Sequence, residues 1–126
     1  MMLARRILVV DDDRLQVETL GDILELHGWE VRGAHSGREA IAAAKEGCYG
    51  LVLMDIKMPE MSGVTAFKAM KVDRPDIKVL LMTAHADEDL IREAEGAGAI
   101  RVLSKPLQLA VLLAVLAQQL VPSSGY

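Results

Sequence analysis

The chain has 126 residues, 52% of them apolar, enough to fill one core, so a single domain is expected. Its formal charge is -4, and no run of Lys or Arg is dense enough to track a phosphate backbone, so nucleic acid is not an expected partner. A single cysteine, Cys48, excludes an internal disulfide and reads as a small buried thiol in a reducing cytoplasm.

The opening MMLARRILVV has a basic start, but its apolar run is short and leads into Asp11, Asp12 and Asp13, so neither a signal peptide nor a membrane segment is expected. Instead, ILVV from Ile7 reads as a strand buried on both faces, because it shows no polar alternation. A helix follows in RLQVETLGDILELHG, with Leu15, Leu20, Ile23 and Leu24 at helical spacing, Asp13 as its N-cap and Gly28 as its stop. His27 falls in its last turn, where a cation is mildly favoured.

A weaker strand, EVRGA from Glu30, precedes SGREAIAAAKEG, which opens on a Ser36/Glu39 capping box. The third strand, LVLM from Leu51, delivers a carboxylate, Asp55, at its tip and then breaks into a loop holding Pro59 and Gly63. GVTAFKAMKV reads as a helix ended before Pro75; KVLLM from Lys78 is the fourth strand, with Thr83 after it. ADEDLIREAEGAG is a helix acidic in its first turn, as the helix dipole prefers. AIRVL from Ala99 is the fifth strand, and LQLAVLLAVLAQQLV is the last helix, too short to span a bilayer. Residues 1–121 are expected to form the domain, with 122–126 a tail or the start of a linker.

Five βα units of this kind predict an α/β fold, a doubly wound five-stranded parallel sheet with helices on both faces. In such a sheet the ligand site lies beyond the carboxyl ends of the strands. That rim would gather Asp11, Asp12 and Asp13, then Asp55, Thr83 and Lys105. Clustered carboxylates repel, burial penalises each charge, and a divalent cation relieves both. A few carboxylates, with the remaining positions left to water, suit Mg2+ and its affinity for phosphate oxygens. A carboxylate can itself be the nucleophile in phosphoryl transfer, and Asp55 is the best placed, with Lys105 neutralising phosphoryl oxygens and Thr83 donating a hydrogen bond.

Four stretches, ILVVDDD, LVLMDIKMPEMSG, VLLMTAHAD and GAIRVLSKPL, together resemble the response-regulator receiver domains of two-component signalling, the CheY type, over nearly the whole chain. The resemblance implies the flavodoxin-like strand order 2-1-3-4-5, which the spacing alone does not give. It implies Asp55 as phosphoacceptor and Asp11 and Asp12 as the acidic pair, with Asp12 a direct Mg2+ ligand. Lys57 would lend its backbone carbonyl to the metal, Thr83 and Lys105 would be the switch hydroxyl and phosphate-pairing lysine, and Lys105-Pro106 would be a cis peptide bond. A sensor histidine kinase or phosphotransfer protein is the implied donor. One position departs from the pattern: many receivers carry an aromatic three residues before the lysine, and here Val102 stands there, too short and stiff to swing as a ring does.

Other polar residues have plainer readings. His85, two residues past Thr83, is a candidate to overhang the site and affect attack of water on a phosphoaspartate. His35 has no neighbour at ligand spacing. Trp29, Tyr49 and Phe67 are too few and scattered to stack bases, and read as core or rim packing. From Pro106 to Tyr126 no residue is charged. With Leu109, Leu112, Leu113 and Leu116 toward the sheet, Ala110, Val111, Ala114 and Val115 would lie outward as an apolar stripe, suggesting a homodimer or an output domain on the face of helix four, strand five and helix five.

The expected function is a cytoplasmic signalling switch, phosphorylated on Asp55 with Mg2+ and altering what it binds; it is not a stand-alone enzyme. A Mg2+-dependent phosphohydrolase using the same acids is the alternative, but the Asp-based phosphatases resemble D-x-D-x-T after strand one, and DDDRL lacks the threonine. A flavin module needs a Gly- and hydroxyl-rich phosphate loop there, and three aspartates would repel the phosphate.

Overall fold

The computed structural model describes residues 5–85 and 87–120, so the boundary at residue 121 and the segment 122–126 lie outside the described residues. In chain order the elements are β1 (Arg6–Val10), α1 (Arg14–Leu26), β2 (Glu30–Ala34), α2 (Gly37–Glu46), β3 (Leu51–Asp55), α3 (Gly63–Asp73), β4 (Val79–Thr83), α4 (Glu88–Gly96), β5 (Arg101–Ser104) and α5 (Leu109–Leu120). The strands form one all-parallel sheet in the order β2-β1-β3-β4-β5.

The unbroken apolar runs are explained by two cores, one on each face of this sheet. Alternate strand residues point to opposite faces. Leu8, Val10, Val52, Met54, Val79 and Leu81 join α2 and α3 residues such as Ala40, Phe67 and Met70. Their neighbours Ile7, Val9, Leu51, Leu53, Leu80 and Met82 join Leu20, Leu24, Trp29, Leu112 and Leu116 on the other side. No strand of the central three has a face left for water, and polar alternation would cost a buried polar group at every second position. β2 is an edge strand, and its Glu30, Arg32 and Gly33 are exposed, which is why its apolar signal is weak.

The ends of the helices follow local chemistry. Asp13 accepts hydrogen bonds from the amides of Leu15 and Gln16, as an N-cap should. α1 stops through Gly28 at φ 89°, where the Gly28 amide donates to Glu25 and the Trp29 amide to Leu24, satisfying carbonyls the helix cannot. The capping box is displaced by one residue: Ser36 accepts from the Glu39 amide, while the Glu39 carboxylate accepts from the His35 amide. No helix among the described residues is long and apolar enough to cross a membrane.

Three expectations are corrected. Cys48 is exposed, not buried, and its thiol lies 3.0 Å from the Arg74 guanidinium, in a loop whose side chain has no core to enter. The fifth strand begins at Arg101, two residues later than expected. In α5, Val115 faces the sheet at 2% exposure with Leu112 and Leu116, whereas Leu109 joins Val111 outside at 41% and 38%. The outward stripe is therefore Leu109, Ala110, Val111 and Ala114.

Candidate functional site

The carboxyl ends of β1, β3, β4 and β5 bring the candidate residues to one rim. Asp11 follows β1 directly; its amide donates to the Ala34 carbonyl, extending the β1–β2 pairing, and its carboxylate accepts from the Asp13 amide at 3.0 Å. The Asp11 carboxylate is thereby turned inward, at 1% exposure, while Asp12 next to it is exposed. Asp55 ends β3 at 6% exposure. Gly63 enforces the turn behind it: its amide donates to the Ile56 carbonyl at 2.7 Å, and a Cβ there would collide with the Asp55 carbonyl oxygen.

Lys105 comes from the far side of the sheet. Its amide donates to the Thr83 carbonyl at 2.8 Å, and the Lys105-Pro106 bond is cis. Its ammonium reaches the Asp11 carboxylate at 2.7 Å and the Asp55 carboxylate at 3.2 Å. Asp11 and Lys105 are 94 residues apart in sequence, and nothing local in either segment signals that they pair. Burial, and then the neighbouring Asp11 charge, push the Asp55 carboxyl above the usual carboxylate value, against the opposing pull of Lys105 and the Lys57 backbone amide. The Lys105 ammonium loses hydration by burial, yet its pKa is raised because Asp11 and Asp55 hold the charged form.

Carboxylate oxygens of Asp11, Asp12 and Asp55 lie within 4.8 Å of one another. Three carboxylates against one ammonium leave two uncompensated negative charges on a half-buried rim. That donor set and that deficit fit a divalent cation with oxygen ligands.

Thr83 ends β4 at 1% exposure, but its hydroxyl is engaged locally: it donates to the His85 carbonyl and accepts from the His85 amide, both at 3.1 Å. His85 is exposed on the loop beyond it. Lys57 meets Asp55 through its amide. Val102 lies opposite Leu81 and packs, half-buried, on the α2/α3 side of the sheet. His35 lines a rim pocket with Asp12, Arg38 and Glu60, and its Nδ1 is buried without a hydrogen-bond partner among the described residues. Glu60, in the same loop as Pro59, has φ 70°, a left-handed conformation that no sequence pattern here announced.

Residues 7–117 match the family model described as Response regulator receiver domain. The transcriptional regulatory protein ZraR of Escherichia coli (strain K12) is 40% identical over 114 residues, which are 90% of this chain and 26% of ZraR. The chain thus spans about a quarter of the ZraR relatives it matches. The chemotaxis protein CheY of Thermotoga maritima is 41% identical over 108 residues, 84% of this chain and 89% of that protein. Among solved structures, the CheX-CheY-BeF3-Mg complex from Borrelia burgdorferi is similar with a TM-score of 0.87 at 28% identity, covering 93% of this chain and 90% of that one.

Proposed function

The chain belongs to the response-regulator receiver domain family, and from that premise we propose that it is a switch that accepts a phosphoryl group onto Asp55 from the phosphohistidine of a sensor kinase or phosphotransfer protein. The observation that carries this is the buried Asp55 carboxylate, which shares the Lys105 ammonium with the Asp11 carboxylate. An Asp55 oxygen attacks phosphorus, the bond to the donor nitrogen breaks, and that nitrogen keeps the electron pair. The transferred group then carries its charge beside Lys105, whose ammonium can move from the carboxylates to a phosphoryl oxygen. Asp11, Asp12, Asp55 and the backbone carbonyl of Lys57 would hold Mg2+, which when bound neutralises phosphoryl oxygens.

The Thr83 hydroxyl supports a two-state response. Bonded now to the His85 backbone, it would give up those bonds to donate to a phosphoryl oxygen, drawing the loop after β4 inward. Val102 offers no ring to relay that movement, so the signal would travel through the backbone of this loop and α4. Loss of the phosphoryl group by hydrolysis restores the starting state.

The test is incubation with Mg2+ and acetyl phosphate followed by intact-mass measurement. One phosphoryl group per chain, labile to hydroxylamine as an acyl phosphate is, is expected with Mg2+; an excess of EDTA should prevent it. An adduct that forms equally well in EDTA, or none at all, would sink the reading.

The exposed Leu109 and Val111 give this switch an interaction face beside β5. A second copy of the chain covering Val111 is the proposed partner, with an output domain the alternative in a longer protein. Size-exclusion elution should shift toward a dimer on phosphorylation, and Val111→Glu should cancel the shift. A strict monomer at high concentration, phosphorylated or not, would count against self-association.

A further inference from the structure

α4 is the helix least committed to the core. It buries Ala94 alone, whereas α1, α2 and α3 bury four, four and five residues each. Beside Ala94, Leu90 and the C-cap residue Ala97 pack half-buried on the core cluster, and two lysines of α3 add polar tethers. The Lys71 ammonium, from the last turn of α3, donates to the Ala97 carbonyl at 2.6 Å, and Lys68 pairs with Glu93 at 3.1 Å. The two tethers are unequal. Lys68 and Glu93 are both more than half exposed, and such a pair contributes little. The Lys71 bond is partly buried and charge-assisted, and it places a cation on an unsatisfied carbonyl at the negative end of α4. Gly98 closes the helix at φ 103°, a conformation that favours glycine, and leaves the Lys71 ammonium close beside its Cα. The Lys71 ammonium also lies 5.4 Å from the centre of the Phe67 ring, which fixes the direction of its approach.

We infer that Lys71 is a clamp on the C-terminal end of α4 that sets the balance between seated and released states of that helix, and through it the response of the acidic site. The regulatory half rests on the phosphoryl-switch reading above. The separation in sequence is short: Thr83, whose hydroxyl bonds the His85 backbone, ends β4, and α4 opens at Glu88 on its N-cap Asp87. Two sites that bias one two-state element are linked reciprocally. If release of α4 favours the phosphoryl-bound state, removing the clamp raises affinity for a phosphoryl mimic by up to the factor by which it raises release.

The experiment is hydrogen exchange by mass spectrometry on the unphosphorylated wild type, Lys71→Met and Lys68→Met, followed by a beryllofluoride titration of each with Mg2+. Methionine keeps an apolar stem of similar reach and removes the ammonium, and with it both the charge and the hydrogen bond to Ala97. Exchange across 88–97 should quicken about tenfold in Lys71→Met and less than about twofold in Lys68→Met, with α1, α2 and α3 unchanged. The beryllofluoride midpoint of Lys71→Met should fall in step. Unchanged exchange in α4, or a rise shared by all helices, overturns the clamp. Faster exchange with an unmoved midpoint overturns its regulatory role. If the wild type binds no beryllofluoride, the phosphoryl reading falls and the regulatory half with it, and the exchange result alone decides the clamp.

Discussion

Asp55→Asn is expected to take up no phosphoryl group under conditions in which the wild type takes up one. The amide has the shape of the carboxylate, keeps one side-chain oxygen to accept from the Lys105 ammonium, and leaves Gly63 packed against an unchanged backbone. What it lacks is the anionic oxygen that attacks phosphorus, so the loss is of chemistry and not of structure. Reduction below detection is the expected result by intact mass, against a retained fold by circular dichroism. Asp11 and Asp12 remain in the variant as competing carboxylates, and the geometry says why they should not substitute. Asp11 is tied to Lys105 at 2.7 Å and to the Asp13 amide, while Asp12 is exposed, with neither burial nor an ammonium to position a donor. An equal adduct on both proteins would place the acceptor elsewhere and remove Asp55 from the centre of the mechanism.

How far this site was legible depends on what each residue touches. β1, β3 and β4 were plain because both faces of the strands are covered, so every residue carries the signal. Asp55 was plain for the converse reason: an acid at the tip of such a run has no packing role. The facing of α5 is not legible because Leu109 to Ala117 are Leu, Val and Ala throughout, with Gln118 and Gln119 only in the last turn, and without a polar stripe periodicity cannot say which side meets the sheet. Burial in the same core as the strand residues settles it in favour of Leu112, Val115 and Leu116. Cys48 failed similarly, since thiol burial depends on a loop path that composition does not encode. The Lys105–Asp11 pair and the engagement of Thr83 with His85 belong to tertiary structure, and the resemblance supplied residues there without supplying contacts.

Without Mg2+, Asp55→Asn should be the more stable protein at neutral pH, read as a higher Tm than the wild type. Ionised Asp55 is disfavoured in the folded chain, first by burial and then by Asp11, more than Lys105 compensates. An Asp55 pKa raised above its unfolded value means that the folded chain holds a proton the unfolded chain has already released. Stability therefore falls as pH rises from the ordinary carboxylate value through the raised one, and the penalty is complete above it. The advantage of the amide should accordingly shrink toward zero in acid, where Asp55 is protonated in both states. Lys105 runs the other way. Its raised pKa contributes stability that is complete below the ordinary lysine value and is lost as pH climbs past it in strong base. Added Mg2+ should invert the neutral-pH order. Binding to the folded state alone contributes about 2.7 kcal/mol at a concentration a hundredfold above Kd, and Asp55→Asn, one carboxylate short, should gain less. Thermal melts at neutral and acidic pH, with and without Mg2+, check each step. A metal-free Asp55→Asn less stable than the wild type would mean that the Lys105 contact outweighs burial and repulsion, and that the rim is an ion-paired structural cluster, not a site held short of positive charge.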